Sequence, residues 1–151
     1  MLKGRNTVIV QNRKARFEYS LEEVLTAGMA LKGTEVKSLR LGKASIQEAY
    51  CIIEKDEVFI RGLTIPEYPQ GNIFNHEPTR TRKLLLTKKE IRKLRKGIEQ
   101  KGNTIVPLKI FFDDRNLAKI NIALAKGKKI HDKRESVKKR DTQRELDRNY
   151  K

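Results

Sequence analysis

The chain has 151 residues, of which 36% are charged, and its formal net charge is +16, an excess that favours a polyanionic partner such as RNA, DNA or an anionic membrane. No run approaches the roughly 18 apolar residues of a membrane span, and no signal-peptide pattern opens the sequence. The single cysteine, Cys51, excludes an internal disulfide and a cysteine-rich zinc site. We therefore expect a cytoplasmic protein without metal or cofactor.

The first predicted elements are a long strand and a short helix. The strand covers residues 17–31 and bends at Gly28, because glycine inside a strand often marks a bend. The helix covers residues 35–41, with Thr34 as its N-cap and Gly42 ending it.

A β-hairpin is predicted next, from two apolar runs at 49–53 and 58–65 around the polar residues 55–57. Cys51 lies in the first run and is interpreted as a small core residue. Residues 66–82 then form a polar connection, and connections of this length are often functional. The side chains in it that can stack on other rings are Tyr68, Phe74 and His76.

A short strand at residues 84–86 precedes a second helix. Thr87 and Glu90 have the spacing of a capping box. The helix is predicted to run to about Lys101, with Gly102 ending it. Its expected buried stripe consists of Ile91, Leu94 and Ile98.

The last predicted pair of strands covers residues 104–112 and 118–125, joined by a turn at 113–116. Alternation predicts an inward face in each strand. The inward residues are expected to be Val106, Leu108, Ile110 and Phe112 in the first strand, and Ala118, Ile120, Ile122 and Leu124 in the second. Several short antiparallel strands with few helices predict a mainly β fold, a closed or nearly closed barrel.

Residues 126–151 differ from the rest in charge and apolar content. They hold 11 basic and 5 acidic side chains, a net charge of +6, whereas residues 1–125 hold 24 and 14, a net charge of +10. We expect a β domain over 1–125 and a basic tail over 126–151. Because the tail has few apolar residues, it should be disordered alone and become helical on a polyanion.

No set of residues supports catalysis. His76 and His131 fall in a loop and in the tail, without the spacing of metal ligands. The acidic pair Asp113-Asp114 is interpreted as a solvated turn. We therefore do not expect an enzyme.

Three basic clusters favour nucleic acid as the partner, although any one of them alone would indicate only a soluble surface. They comprise residues 12–16, then Lys37, Arg40 and Lys43, then Arg80, Arg82 and Lys83. Aromatic side chains near them could stack on bases. These are Phe17, Tyr19, Tyr50 and Tyr68; for Phe17 and Tyr50, packing in the core is at least as good an interpretation.

Five blocks of sequence resemble a known family. They are residues 12–16; 33–40, preceded by Ala27-Gly28 and followed by Gly42; Gly71-Asn72 with 75–78; 80–86; and 127–134. In this order, from about residue 8 to the end, the blocks resemble the SsrA-binding proteins (small protein B, SmpB). The resemblance implies an oligonucleotide-binding-type antiparallel β-barrel with a few short helices and a basic tail.

The resemblance also implies a function and partners. The family binds the tRNA-like domain of transfer-messenger RNA and brings it to the A site of stalled 70S ribosomes, where trans-translation tags the nascent chain. Elongation factor Tu and alanyl-tRNA synthetase act on the same RNA. The tail is expected to probe the empty message channel at the decoding centre of the small subunit, against ribosomal RNA. The protein itself catalyses nothing.

Site residues follow from the resemblance and from the basic clusters together. By position, Asn12, Leu85 and Lys119 match family residues implicated in RNA binding, and Tyr50 matches an aromatic position. The full expected RNA-binding set is Asn12, Arg13, Lys14, Arg16, Thr26, Lys37, Arg40, Tyr50, Arg80, Arg82, Lys83, Leu85 and Lys119. The expected ribosome-contacting set is Lys128, Lys129, His131, Asp132, Lys133, Arg134, Lys138, Lys139 and Arg140.

Three positions depart from the family pattern. Thr26 stands where many relatives carry an acidic residue, so a carboxylate contact there is lost or replaced. Phe17 stands where relatives often have His, and Thr87 where they have His or Asn. Three other functions stay open: a general RNA-binding module such as a ribosomal protein or RNA chaperone, an RNA-processing enzyme, and, least supported, a membrane-surface protein, since the tail lacks an apolar face.

Overall fold

A computed structural model describes residues 7–71, 73 and 75–127. Within them the chain forms seven strands and three helices. In chain order these are β1 (Thr7–Gln11), α1 (Ala15–Glu18), β2 (Tyr19–Met29), α2 (Gly33–Arg40), β3 (Tyr50–Glu54), β4 (Glu57–Arg61), β5 (Arg82–Leu85), α3 (Lys88–Lys101), β6 (Thr104–Phe112) and β7 (Ala118–Gly127). The predicted ribosome-contacting residues of the tail, together with Phe74, lie outside the described residues.

All seven strands belong to one antiparallel sheet whose pairings close into a ring. The ring runs β6-β3-β4-β5-β2-β7 and returns to β6. The strand β1 pairs with the last residues of β6, on the edge of β6 opposite β7. The longest seam is β2–β7, with nine paired positions from Tyr19 to Gly28. The shortest is β3–β6, which pairs only at Cys51 and Ile105. The predicted mainly β, nearly closed fold is confirmed.

Both predicted hairpins are present. Lys55 and Asp56 join β3 to β4 with φ angles of +48° and +62°, the left-handed pair that a two-residue hairpin turn needs. In the β6–β7 turn the Asp113 carboxylate accepts the backbone N–H groups of Arg115 and Leu117, both at 2.9 Å. The hydrogen bond from Leu117 is the largest cause that holds the pKa of Asp113 below its usual value. The acidic pair is therefore a turn, as predicted.

The helix α3 has the predicted bounds. Thr87 and Glu90 form both capping hydrogen bonds, at 2.9 and 3.2 Å, and Gly102 ends the helix with a φ of +65°. Leu94 is fully buried, and Ile91 and Ile98 pack against the same core. The expected stripe is therefore confirmed.

The core fills the ring, but one predicted face is wrong. Ile110 and Phe112 of β6 point inward as expected, whereas Val106 and Leu108 lie on the outer side in a small second cluster with Ala123. The reason is an irregularity between Pro107 and Lys109 in the β6–β7 pairing, which resets the alternation. The inward set in β7 is as predicted.

Several element boundaries also differ from the prediction. A strand precedes the expected first one, and the first residues of the expected strand form α1 instead, so β2 begins at Tyr19. The irregularity in β2 lies between Leu21 and Glu23 rather than at Gly28. The helix α2 starts two residues early, at Gly33, with Lys32 as N-cap. Thr34 caps nothing, because its hydroxyl is paired with His76 Nδ1 at 2.9 Å.

Candidate nucleic-acid interface

One exposed face of the sheet gathers several predicted site residues in two cross-strand rows. Residues directly opposite each other in an antiparallel pair carry their side chains on the same face. The first row runs Gln11, Lys109, Asn121 and Thr26 across β1, β6, β7 and β2. The second runs Val8, Phe111, Lys119, Gly28 and Leu85, ending on β5. We call these two rows the outer platform.

The alternating residues of the same strands confirm that the outer platform faces away from the core. Ala27 of β2 and Ile120 and Ile122 of β7 are fully buried inside the ring. Leu85, in contrast, is 51% exposed. A sheet face of this kind offers flat apolar area and cations together.

Gly28 makes the outer platform continuous between Leu85 and Lys119. A Cβ at this position would lie 3.3 Å from Leu85 Cβ and 3.7 Å from Lys119 Nζ. Without it, the leucine and the lysine approach each other across β2. Beside them, the Lys109 ammonium lies 5.5 Å from the centroid of the Phe111 ring, and the Thr26 hydroxyl donates to Asn121 Oδ1 at 2.9 Å.

Asn12 adjoins the outer platform at the end of β1. Its backbone N–H donates to Leu108 O at 2.7 Å and its Nδ2 donates to Pro107 O at 3.1 Å. Its Oδ1 is buried and has no hydrogen-bond partner among the described residues. The side chain borders a cleft of about 400 Å³, which is also lined by Gln11, Arg13, Arg16, Val24, Leu108, Lys109 and Asn121. An unpaired buried acceptor at a cleft is costly unless something donates to it.

The first basic cluster surrounds this cleft. Arg13, Lys14 and Arg16 are all exposed, on the turn and the short helix α1 that follow β1. Phe17, which the sequence placed in the core as readily as at the surface, is 42% exposed. Tyr19 is half-buried against the small apolar cluster that contains Val106 and Ala123. The structure therefore brings Asn12, this cluster and the outer platform into one region.

Two members of the third predicted cluster, Arg80 and Arg82, bind a carboxylate of the protein instead. Glu35 is fully buried, and Arg80 Nη2 and the Lys32 backbone N–H donate to its Oε1 at 2.6 and 2.7 Å. Arg80 Nε donates to the other oxygen at 3.3 Å, as does Arg82 Nε. We call Glu35, Arg80 and Arg82 the α2 clip.

Every guanidinium N–H group of Arg82 donates a hydrogen bond within the protein. Its side chain is 0% exposed. Besides the bond to Glu35, its Nη1 donates to Leu63 O and Arg80 O at 2.8 and 2.9 Å. Its Nη2 donates to Pro78 O at 3.0 Å and to Glu77 O at 3.5 Å. All five guanidinium donors are used, so Arg82 has none left for RNA and its prediction as an RNA contact is corrected.

Opposing effects set the pKa values within the α2 clip. Burial raises the pKa of the Glu35 carboxyl, but hydrogen bonds from Arg80, the Lys32 backbone and Arg82 outweigh it, so the pKa lies below its usual value. Burial lowers the pKa of Arg82, and Glu35 offsets this only in part. The Glu35 carboxyl is therefore ionised at neutral pH, and arginine keeps its proton in proteins.

Further hydrogen bonds tie α2 to the connection after β4. His76 is buried; its Nε2 donates to Ile65 O at 2.7 Å, which leaves Nδ1 facing the Thr34 hydroxyl. The Ser38 hydroxyl donates to Pro66 O at 2.7 Å. His76, which the sequence analysis counted among the side chains that can stack, is therefore held inside the protein by hydrogen bonds. Within the blocks 33–40, 75–78 and 80–82, which resemble the family, many residues are joined to one another by hydrogen bonds.

The other predicted residues lie at separate places. Lys37 and Arg40 are exposed on α2, with Lys43 just beyond it, as predicted; the Lys37 ammonium lies 5.6 Å from the Tyr68 ring centroid and the Arg40 guanidinium 4.5 Å from the Phe112 ring centroid. Lys83 is exposed and paired with Glu57. Tyr50 is 45% exposed opposite Arg61 on the β3–β4 hairpin, so core packing is wrong for it too.

Sequence reasoning missed part of the outer platform. Gln11, Lys109, Phe111 and Asn121 were not singled out, although Asn121 shares the outward face of β7 with Lys119. The residues that lie beside them across the sheet are known only from the strand register. The irregularity in β6 hides that register from the sequence. The basic surface of α3 was also missed, although its density of lysine and arginine is plain in the sequence.

Buried reactive groups add no further chemistry. Cys51 is buried, as predicted, and burial raises the pKa of its thiol. Across the described ranges, no three histidine, cysteine or carboxylate side chains are grouped so that they could hold a metal ion. No helix in that part of the chain is long and apolar enough to span a bilayer.

Comparison with known proteins identifies the family. A family model described as SmpB protein matches residues 9–151. The SsrA-binding protein of Chelativorans sp. (strain BNC1) is 53% identical over 146 residues, covering 96% of this chain and 94% of that protein. The SsrA-binding protein of Beijerinckia indica subsp. indica is 57% identical over 139 residues, covering 91% and 88%.

The fold is matched as well. A solved structure described as "tmRNA-SmpB: a journey to the center of the bacterial ribosome" superimposes with a TM-score of 0.68 at 47% identity, covering 85% of this chain and 93% of that chain. The match with the family model spans nearly the whole sequence, and the relatives are more than 50% identical over almost their full length. The chain belongs to the SmpB family.

Proposed function

We propose that this protein is an RNA-binding adaptor that binds the tRNA-like domain of transfer-messenger RNA and delivers it to the A site of stalled 70S ribosomes for trans-translation. The observation that carries the proposal is the outer platform, on which Thr26, Leu85 and Lys119 share one exposed face next to Asn12. Membership of the SmpB family gives that face its partner. The role needs no catalytic group.

The outer platform suits a folded RNA in three ways. Lys119 and Lys109 provide cations for phosphates. Leu85, beside the bare backbone of Gly28, provides a flat apolar surface for an unstacked base. The unpaired Oδ1 of Asn12 accepts a hydrogen bond from a base amino group or a 2′-hydroxyl, which relieves its burial.

The remaining predicted residues enter the proposal with different weights. Arg13, Lys14 and Arg16 extend the outer platform past Asn12. Further cations at the edges of the protein (Lys37, Arg40, Lys83) and the exposed ring of Tyr50 widen the reach to phosphates and bases. Arg80 contributes only through its partly exposed edge, since Glu35 holds its guanidinium. Arg82 is left out.

The tail has the second part of the function in this proposal. The predicted tail, residues 126–151, begins inside β7, which runs two residues past the division at Ala125. It enters the message channel only when no message occupies it, with His131 in the decoding centre and the following basic residues along ribosomal RNA. Elongation factor Tu and alanyl-tRNA synthetase meet the protein through the same RNA, in the cytoplasm.

Competition binding tests the first part. The tRNA-like domain and an ordinary tRNA compete for the protein at several salt concentrations. Phosphate contacts steepen the salt dependence for both ligands. The expected result is a large preference for the tRNA-like domain that persists at physiological salt. Equal affinities that fall together would indicate a general basic RNA-binding module and overturn the proposal.

Truncation tests the second part. Removal of residues 132–151 should leave the affinity for the tRNA-like domain largely intact, because the outer platform lies within β1, β2 and β5–β7. Peptide tagging on stalled ribosomes should be abolished. Tagging by the truncated protein at the normal rate would contradict the division of labour.

A further inference from the structure

The helix α3 carries a concentration of positive charge that the proposed function does not use. Its 14 residues hold seven lysine or arginine side chains and two glutamates, a net charge of 7 − 2 = +5. The cations are Lys88, Lys89, Arg92, Lys93, Arg95, Lys96 and Lys101. Such a density on one helix is far above what solubility requires.

The inner side of α3 is fixed against the sheet. Leu94 is fully buried in the core. Gly97 is buried as well, and a Cβ there would lie 2.7 Å from Leu124 Cδ1. The close approach at Gly97 fixes which side of the helix faces solvent.

The flanks of α3 are neutralised by carboxylates of neighbouring strands and turns. Lys93 pairs with Glu23 of β2 at 2.7 Å. Arg95 pairs with Asp56 of the β3–β4 turn at 2.6 Å, and Lys101 lies 3.6 Å from Glu22. The cations nearest the sheet therefore have partners within the protein.

The outward side has no such partners. Lys89, Arg92 and Lys96 recur at i, i+3 and i+7, and Lys88 lies beside Arg92, so the four form one stripe on the helix. All four are exposed. In the part of the chain that the structure describes, no carboxylate lies within 4.0 Å of any of them. We call these four residues the α3 face.

The α3 face and the outer platform lie on opposite sides of the β2–β7 pair. The helix contacts Glu23 and Leu124, which pair with each other and face inward. Thr26 and Asn121, at the alternating positions, face outward. Lys88 of the α3 face and Leu85 of the outer platform nevertheless line one cleft, so the two surfaces adjoin at that edge.

We propose that the α3 face binds the phosphate backbone of a second RNA segment, an A-form duplex, while the outer platform holds the first. This inference rests on the proposed function. Cations without carboxylate partners match a phosphate backbone, which offers a row of negative charges. A membrane is disfavoured, because the outward side of α3 has no large apolar residue to insert.

The test uses the full-length protein already saturated with the tRNA-like domain, so that the outer platform is occupied. A 20-base-pair RNA duplex is then titrated in, at several salt concentrations. The variant is Lys88→Gln/Lys89→Gln/Arg92→Gln/Lys96→Gln, since glutamine keeps helix propensity. Its circular dichroism and melting temperature should match those of the unaltered protein.

Two controls accompany the variant. The first removes four exposed charges that lie off the α3 face, Lys32→Gln/Lys55→Gln/Lys101→Gln/Arg115→Gln, and matches the change in net charge. The second, Lys88→Arg/Lys89→Arg/Arg92→Lys/Lys96→Arg, keeps the charge of the α3 face. The charge-preserving variant should bind the duplex like the unaltered protein.

The expected result separates the two surfaces. The glutamine variant should bind the duplex about tenfold more weakly, with a salt slope shallower by about 2 to 3, because fewer counterions are released. Its affinity for the tRNA-like domain should change less than twofold, and the matched charge control should keep most of its duplex affinity. Equal losses in both four-charge variants, or tighter binding to phosphatidylglycerol vesicles than to the duplex, would overturn the inference.

Two further binding measurements then identify the source of the second RNA. Loss of affinity for full-length transfer-messenger RNA, relative to its tRNA-like domain, would assign the duplex to the same RNA. Loss of affinity of the preformed complex for small ribosomal subunits would assign it to ribosomal RNA. Failure of the proposed function appears separately, as the absence of a preference for the tRNA-like domain over tRNA. Unaltered binding in both arms would reject the α3 face as an RNA site.

Discussion

The α2 clip and the outer platform use similar side chains in opposite ways. In the α2 clip, one buried carboxylate and two arginines satisfy one another, and all five donors of Arg82 bind within the protein. On the outer platform, Lys119 shares an exposed face with Leu85, and nearby Asn12 keeps a buried oxygen unpaired. The α2 clip lies in sequence blocks that resemble the family, and so do Gly28 and Leu85 of the outer platform and the adjoining Asn12.

The comparison shows that family resemblance alone does not separate support from recognition. Arg82 and Arg13 are the same residue type in different environments, since the side chain of Arg82 is enclosed and that of Arg13 is solvated. Burial and hydrogen-bond partners make the distinction. A charged group with every partner inside the protein has no donor left for a ligand, whereas a polar group left unpaired at a cleft can still form a hydrogen bond.

The largest loss in the free energy of unfolding is expected when the carboxylate of the α2 clip is removed. Glu35→Gln leaves the buried Arg82 uncompensated, which should lower the free energy of unfolding by about 3–5 kcal/mol. Urea denaturation at neutral pH measures the change. Glu57→Gln is the matched control, because Glu57 pairs with Lys83 at the surface and should cost less than about 1 kcal/mol. Equal losses in the two variants would contradict the structural role of the α2 clip.

The pH dependence of stability should show the same carboxylate. The pKa of Glu35 is lower in the folded protein than in the unfolded chain, so its contribution is fully present above the unfolded value of about 4.3. It is lost as pH falls through the folded value, because the unfolded chain binds the proton first. Denaturation curves from pH 6 to pH 2 should therefore fall less steeply for Glu35→Gln than for the unaltered protein. Parallel curves would contradict the lowered pKa.

A substitution on the outer platform should act on RNA and not on the fold. Leu85→Asn removes an apolar contact that is 51% exposed. We expect the affinity for the tRNA-like domain to fall about tenfold, within the range of one lost base-stacking contact, while the melting temperature stays nearly constant. The control is Leu117→Asn in the β6–β7 turn, which is 52% exposed and lies off the outer platform. Equal effects on affinity at both positions would remove the distinction.

The smallest expected effect concerns Thr26, where many relatives have an acidic residue. Thr26→Val removes one exposed hydrogen bond to Asn121 and keeps the shape of the side chain. We expect a change in stability of about 0.5 kcal/mol or less, since water replaces an exposed partner. Titration of the tRNA-like domain should show nearly unchanged affinity. A large loss would mean that the hydroxyl contacts the RNA directly.

Local patterns predicted the parts of the fold that depend on neighbouring residues. The capping residues Thr87 and Glu90 act within one helical turn, and the Lys55-Asp56 turn joins adjacent strands, so both were visible in the sequence. Thr34 was misassigned because its partner, His76, lies 42 positions away. The facing of Val106 and Leu108 depends on an irregularity in pairing with β7, which alternation alone does not reveal.

The candidate site was predictable only in part for the same reason. Asn12, Leu85 and Lys119 came from resemblance, and their common region became visible only with the strand register. Arg82 was assigned to the RNA because its sequence neighbours are basic. Its partners come from α2, from Leu63 and from the connection before β5, and no local rule connects those segments.

The strand pairs of the ring differ in their number of paired positions, and this difference affects how the protein opens locally. Nine paired positions close β2 onto β7, while β3 meets β6 at Cys51 and Ile105 alone. Local opening requires the least disruption where few backbone hydrogen bonds cross. We therefore expect the β3–β4 hairpin, which stays paired with β5, to separate from β6 more readily than β2 separates from β7. Backbone amides in β2 and β7 should accordingly exchange with solvent through opening of the whole ring, and the single bridge at Cys51 through a far smaller motion.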